Sequence, residues 1–358
     1  MKKLIVSGAL LGLAATPALA ADMKIYGQAH LAGSYLDNGA SGAAEYSALN
    51  ISSNSSYLGF RANYDFNEHL RGIAQIEGDV NFDGEGDNAI YSRNTFLGLG
   101  GAWGEVKIGR MDTPLKVLRS RVDLFGNQVG DARNVMAGSF DNRFKRSILY
   151  TSPTFYGLTA DLHYSTETEK SEGAVDGNDN DAWSASLTYR QGPLYAAVAY
   201  EQWNNQNKAK ERDATRVAVS YNIADVVRIT GFAHFASYEQ REDANTYGIG
   251  VRYALTPQVA LKAQYYTLDS DANNADADLI AVGVDYQAAK NLRFYLNYAQ
   301  VSNDENTRND ENTRNDENTR NDENTSLAPW RSGSTLNKVS GVSDETAKAV
   351  AVGAILSF

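Results

Sequence analysis

The chain reads as an all-β protein, a 16-stranded antiparallel transmembrane β-barrel, on three observations. Side chains alternate with a period of two along most of its length, short and long connections alternate, and the last residue, Phe358, itself ends a strand. Going back from Phe358, every second residue is Leu356, Ala354, Val352 and Val350, and between them stand Ser357, Ile355, Gly353, Ala351 and Ala349. One apolar stripe beside one of mainly small residues suits a strand with lipid on one face and a lumen on the other. No sheet edge is tolerated in hydrocarbon with unmet N–H and C=O groups, so this strand is expected to pair with the first and shut the barrel.

At the other end, Lys2 and Lys3 precede an apolar run over 4–13, and Pro17 leads into the small-x-small site Ala18, Leu19, Ala20. That layout is a secretory signal over 1–20, cleaved after Ala20, which leaves 21–358 as the barrel. The run is too short for a transmembrane anchor. Mean hydropathy is −0.43, cysteine is absent, and 21 tyrosines outnumber 12 phenylalanines. A barrel needs that combination, because only alternate residues meet lipid while the membrane interfaces take aromatic girdles.

The first strand, 23–36, sets Ile25, Gly27, Ala29, Leu31, Gly33 and Tyr35 against Lys24, Tyr26, Gln28, His30 and Ser34. Strand 53–66 turns Leu58, Phe60, Ala62, Tyr64 and Phe66 outward and Tyr57, Arg61, Asn63 and Asp65 inward; 70–81 opposes Leu70, Ala74, Ile76 and Val80 to Arg71, Gln75, Glu77 and Asp79. Further strands are expected at 91–100, 105–111, 143–152, 158–166, 182–190, 194–202, 215–222, 226–238, 246–255, 258–269, 279–287, 292–302 and 346–358. An even count puts both termini on one side. Short links at 67–68, 101–104, 153–157, 191–193, 223–225, 256–257 and 288–291 are assigned to the periplasm. The long ones, 37–52, 82–90, 112–142, 167–181, 203–214, 239–245, 270–278 and 303–345, are assigned to the exterior. A soluble β-sandwich would not be expected to keep this alternation.

The last long loop holds three copies of Asn-Asp-Glu-Asn-Thr-Arg over 303–320 and an incomplete fourth over 321–325. With no apolar residue to bury, the tract is expected to stay solvated. Its spacing matches neither the twelve-residue calcium loop nor the calcium-binding nonapeptide, so no metal is assigned.

The order and spacing of KIYGQAHLAGSY, YLGFRANYDF, LRGIAQIEGDVNF, RNTFLGLGG with WGEVKIGRMDTP, RFKRSILYTSPTFYGL and the terminal Phe358 resemble the general diffusion porins of Gram-negative outer membranes over essentially the whole mature chain. The resemblance implies a homotrimer of barrels in the outer membrane, among lipid and lipopolysaccharide. Each barrel would pass ions and small hydrophilic solutes through a water-filled pore narrowed by an inward-folded third loop, 112–142. It also implies that Phe358 is read by the barrel assembly machinery. Wall arginines facing loop carboxylates are the family pattern at the constriction. Carried over, Arg61, Arg93 and Arg143 form the basic side, and Asp112, Asp123 and Asp131 with Glu77 the acidic side. Tyr57 and Gln28 stand where the family is often basic, so they count as other pore-lining residues and the basic side is thinner. Lys116, Arg119 and Arg121 lie among the loop acids and leave an anion-preferring constriction open. Arg146 has outward parity, which at the midplane would cost about 2–4 kcal/mol, so a subunit contact or the extracellular rim is expected.

Acids number 44 against 33 bases, and the excess sits in the long loops. Acidic mouths concentrate cations, which predicts mild, salt-screened cation selectivity. An acidic surface repels phosphates, so nucleic acid is not an expected partner. Four histidines, His30, His69, His163 and His234, lack metal spacing, and neither a Gly-x-Ser-x-Gly elbow nor a phosphate loop is present, so no enzyme activity and no cofactor are assigned. His163 and Ser165 share a face but do not by themselves make a nucleophile pair. A substrate-specific channel would be expected to line its pore with aromatics. Trp103, Trp183, Trp203 and Trp330 instead sit at turns, strand ends and a loop, positions suited to interface anchoring. The remaining alternative, a surface adhesin or structural barrel with a plugged lumen, needs a segment that fills the pore.

Overall fold

Alternating side chains fix one face of every strand to lipid, and pairing each strand with both neighbours is the arrangement that leaves no open edge there. In the computed structural model, which describes residues 22–84, 90–136, 138, 140–166, 180–205, 211–239, 241–307, 327–330 and 341–358, that closure is complete. The signal-peptide expectation and most of the hexapeptide tract fall outside the described residues.

The strands are β1 (Asp22–Asp37), β2 (Ser47–Ser53), β3 (Tyr57–Asn67), β4 (Leu70–Val80), β5 (Ile90–Ser92), β6 (Thr95–Gly101), β7 (Gly104–Asp112), β8 (Arg143–Thr151) and β9 (Leu158–Ser165). They continue as β10 (Asn180–Gln191), β11 (Leu194–Asn205), β12 (Arg212–Ile223), β13 (Val227–Tyr238), β14 (Ala244–Ala254), β15 (Val259–Ser270), β16 (Ala277–Ala289), β17 (Leu292–Asn303) and β18 (Thr346–Ser357). Two staves are broken: β2 and β3 both pair with β1, and β5 and β6 both pair with β4, so the segments make a closed 16-stranded antiparallel barrel. The first break is at residues 54–56, where Ser55 takes φ 58°. The stave therefore starts at Ser47, where a loop to residue 52 was expected. Its lipid-facing Leu49 and Ile51 are strongly exposed, but the Ser and Asn between them made the stretch read as loop.

Closure runs over ten residue pairs, from Gln28 opposite Ser357 to Asp37 opposite Lys348. Beyond them, Gly27 N–H donates to the Phe358 carbonyl at 2.9 Å and Phe358 N–H to that of Gly27 at 3.1 Å. A side chain at Gly27 would meet the Phe358 ring at 2.6 Å and the Tyr57 carbonyl at 2.7 Å, so glycine is what lets the chain end seat.

Outward positions carry the apolar belt, including Leu31, Phe60, Ile76, Leu97, Ile108, Ile249 and Val352. Trp103 and Trp183 face out with it, as interface anchors would. Trp203 and Trp330 do not: both are buried inside the barrel, Trp203 against Phe144 and the Arg212 guanidinium. Arg146 lies at φ 46° where β8 is irregular, exposed, its carbonyl accepting from Thr166 at the outer end of β9. Of the two expected locations, the geometry matches the rim.

Candidate functional site

Strands β7 and β8 have nine residues each and are shorter than most, and residues 113–142 between them fold back against the inner wall. The loop opens with a short helix, α1 (Pro114–Ser120). Its cap, Thr113, accepts from Lys116 N–H at 3.2 Å, and Pro114 occupies the first turn, where no N–H is needed. Helix α1 packs on β9–β12, and a 3₁₀ turn over Ala132–Val135, capped by Asp131, packs on β15 and β16. Leu115, Leu118, Val122, Phe125, Val135 and Phe140 are buried between loop and wall. Room for them comes from alanines at inward positions: Ala182, Ala199, Ala214, Ala218, Ala281 and Ala299.

Polar contacts fix the loop further. Gln264 donates to the Gly130 carbonyl at 2.7 Å and to Asp123 at 3.0 Å, and accepts from Leu124 N–H at 2.9 Å. The side-chain oxygen of Gln128 accepts from both Lys262 and Asn297, at 2.8 and 2.7 Å. Arg216, fully buried, donates to the Leu115 carbonyl at 2.9 Å and pairs with Asp141 at 2.7 Å. A second segment joins from the last loop: Leu327, Ala328 and Trp330 are buried beside this core, and the Pro329 carbonyl accepts from Gly130 N–H at 2.8 Å.

At the loop's centre, the nearly buried Arg119 binds Asp123 at 2.8 Å, Asp131 at 3.5 Å and Asp141. Burial alone would weaken this cation, and the three carboxylates more than reverse that. Burial and the Asp131 charge push the Asp123 carboxyl up to about 6. Burial would raise Asp141 as well, but Arg119 and Arg216 hold it well below the usual carboxylate range. The Asp123 and Asp131 side chains have 0% exposure, so they form the loop's interior and do not face the passage.

The other expected residues gather on the wall formed by β1 and β3–β8. Arg93, at the break between β5 and β6, binds Glu77 at 2.6 Å, contacts Asp79, and lies over the Tyr57 ring at 4.9 Å. Glu77 and Arg93 were expected on opposite sides; they are neighbours on one wall. Tyr26 O–H also donates to Glu77 at 2.9 Å. Arg61 donates to the Gln75 side chain at 2.6 and 3.0 Å and stacks on Tyr26. Arg143 meets Asp112 at 3.0 Å, and Lys116 meets the same carboxylate at 2.8 Å. Burial lowers the Lys116 ammonium to about 8, against the pull of Asp112. Gln28 stands beside Tyr57 across the β1–β3 ladder, half-buried.

Arg110 belongs to this group and was missed. Strict alternation from lipid-facing Ile108 puts it outward, but Gly109 takes φ 151° and the ladder to β8 breaks there, Lys145 and Arg146 together standing opposite Arg110, which lies within electrostatic reach of Arg143, Asp79 and Asp112. No sequence signal beyond Gly109 itself marks that break. His163 and Ser165 do not pair: His163 bonds Ser147 at 2.8 Å, and Ser165 donates to the Lys145 carbonyl. Among the described residues, no His, Cys, Asp and Glu group is arranged to hold a metal ion.

Comparison with known proteins places this geometry. The profile of a family described as Gram-negative porin matches residues 7–306. Outer membrane porin protein 32 of Delftia acidovorans is 25% identical over 320 residues, covering 85% of this chain and 91% of that protein. Major outer membrane protein P.IB of Neisseria meningitidis serogroup B is also 25% identical over 320 residues, covering 81% and 90%. Among solved structures, the anion-selective porin from Comamonas acidovorans superposes with a TM-score of 0.78 at 22% identity, over 95% of this chain and 100% of that one. The trimer form of OmpT from Vibrio cholerae gives 0.65 at 17% identity, over 95% and 100%.

Proposed function

Since this chain belongs to the Gram-negative porins and so forms a diffusion channel of the outer membrane, we propose that its passage is narrowest where residues 113–142 lie inside the barrel and that this part favours small hydrophilic anions. One observation carries the reading: the loop carboxylates of Asp123 and Asp131 are consumed by Arg119 inside the loop. On the lumen side, Arg61, Arg93, Arg110, Arg143 and Lys116 outnumber Glu77, Asp79 and Asp112. Fixed positive charge beside a narrow passage with low-dielectric walls raises the local anion concentration, while the interleaved carboxylates give a local field that orients dipolar solutes. Apolar solutes lose hydration there and gain nothing.

The relative from Comamonas bears the name anion-selective; its likeness supports the fold, and the charge placement supports the selectivity. The competing reading, cation preference from acidic mouths, draws on the overall excess of acids. A planar bilayer recording in a potassium chloride gradient separates the two. An anion-signed reversal potential is expected, and a cation-signed one would overturn the reading. Absence of conductance steps from folded protein would overturn the open channel itself.

The channel works as a homotrimer in this reading. Outward residues on β2, β4, β6 and β7, namely Leu49, Ile51, Ile76, Leu97 and Ile108, are each more than 60% exposed, whereas those on β11–β17 are mostly 40–50%. That more exposed apolar face suits a second copy. Conductance steps in groups of three would support it.

A further inference from the structure

On the short-turn side of the constriction loop, four arginines gather without an ion pair to any described carboxylate. Arg228 near the start of β13 and Arg252 near the end of β14 are Cα partners, and both have the inward parity of Thr230 and Gly250. Like charges directly opposite each other on a ladder repel. Arg228 donates to the Arg121 carbonyl on the loop and, at 3.4 Å, to Ser220. Its Nε is buried without a hydrogen-bond partner among the described residues. Arg121 and Arg252 are its electrostatic neighbours. Tyr195 lies in the field of Arg121, Arg190 and Arg228, with the Arg190 guanidinium 5.4 Å from its ring centre.

No ion pair joins these arginines to a described carboxylate. Asp161, which also acts on Tyr195, is taken by Thr151 and Ser186 at 2.7 and 3.1 Å, and Asp285 binds Lys262 at 3.0 Å. This differs from the constriction above, where Arg93 and Arg143 each hold an acid. Clustered guanidiniums lower their mutual repulsion by admitting an anion, and their planar forks match two oxygens at a time.

We propose that Arg121, Arg228 and Arg252, flanked by Arg190, form a docking subsite for a small doubly charged oxyanion, a second station on the periplasmic side of the constriction. Dicarboxylates and inorganic oxyanions share that chemistry. The subsite rests on the reading of an open, anion-favouring channel, and would hold a dianion after it has passed the narrow part or before it enters from below.

Sulfate, a dianion at all working pH values, is the probe. In bilayers holding the full-length wild-type channel in potassium chloride, added sulfate should reduce conductance in a saturable way, and acetate should not. Arg228→Gln/Arg252→Gln should raise the half-blocking sulfate concentration about tenfold. Acid-free guanidiniums predict that Arg93→Gln/Arg143→Gln changes ion selectivity and leaves most of the sulfate block. The proposal is overturned if sulfate does not block wild type, if the Arg228/Arg252 variant blocks as well as wild type, or if only the Arg93/Arg143 variant loses block. Heat-modifiable migration verifies barrel folding, and Arg121→Gln, outside the barrel strands, gives the same readout should the double variant fail to fold. The reversal potential taken before sulfate is added tests the anion-favouring reading separately, so failure of the channel reading and failure of the subsite are distinguishable.

Discussion

Replacing Arg119 by methionine keeps an unbranched stem and removes the guanidinium charge that holds the constriction loop together. Arg119 is 5% exposed, and the Asp123 and Asp131 side chains it binds are fully buried. Removing one partner from a buried ion group costs about 3–5 kcal/mol, because the remaining charges stay desolvated. Here the loss is shared unequally. Asp141 keeps Arg216 at 2.7 Å and Asp131 keeps Arg133, whereas Asp123 retains, among the described residues, Gln264 and the N–H groups of Phe125 and Ala132 at 3.0 and 3.2 Å. The lower end of the range, about 3 kcal/mol, is therefore expected, which shifts the balance between attached and detached loop by roughly 10²-fold. Single-channel recording reads this directly: Arg119→Met should show larger steps, more open-channel noise and weaker ion selectivity. Adding Asp123→Asn removes the stranded charge and should recover at least about 1 kcal/mol, visible as quieter channels than Arg119→Met alone. If Arg119→Met keeps wild-type step size, noise and reversal potential, the buried cluster does not hold the loop and the reasoning fails.

Neutralising Arg93 and Arg143 to glutamine strips Glu77 and Asp79 of their cation and leaves Asp112 with Lys116 alone, so the reversal potential should move toward cations; no movement would remove these arginines from the filter. For pH, Asp123 is raised to about 6, so its stabilising contribution is full below about pH 4 and is lost as pH rises through 6. Asp141 is depressed, so its contribution is present above about pH 4 and lost on acidification below that. Channel noise should therefore be lowest near about pH 4 and rise on either side, and a monotonic dependence would contradict the linkage. Gly27→Val forces a side chain into the Phe358 ring and the Tyr57 carbonyl, and should sharply lower the yield of folded barrel; wild-type assembly would show that the chain end does not need that seat.

Strand positions and inward or outward parity were legible because each reports a period-two pattern repeated over many residues, and one face is pinned to lipid. Where a strand breaks step, parity misleads. Arg110 is the case: the backbone turns at Gly109, opposite the β8 bulge at Lys145 and Arg146, and brings Arg110 among the lumen charges, and nothing in a single sequence announces a bulge. The loop's charges were legible as residues but not as partners. Arg119 and Asp123 stand four apart, a spacing that brings them together on a helical turn, yet the convergence of Asp131, Asp141 and Arg216 on them depends on how the loop docks. The docking surface did leave a trace in the sequence. Inward positions on most strands are polar, but on β10–β12 and β16–β17 many are alanine, including Ala199, Ala214, Ala218, Ala281 and Ala299. A water-lined wall has no need of such residues; a wall that receives a packed loop does.

A formal charge of −11 and an anion-favouring constriction are compatible because the two act over different distances. Asn297, whose side chain reaches Gln128 on the constriction loop, stands six residues along β17 from Asn303, where the acidic last loop begins. At about 3.3 Å per residue that is roughly 20 Å of strand. The Debye length is about 8 Å at 0.15 M salt and about 30 Å at 0.01 M. In physiological salt the constriction therefore scarcely feels the loop acids, and its own arginines decide. Diluting the salt brings the acidic mouths into range. A pore governed by fixed positive charge alone becomes more anion-selective on dilution, so the two contributions predict slopes of opposite sign. Reversal potentials at a fixed concentration ratio, taken from about 1 M down to 0.01 M, should show anion preference that weakens toward low salt. Preference that strengthens steadily on dilution would mean that the loop acids exert no field on the pore, and that only the residues around Arg93 and Arg143 set its selectivity.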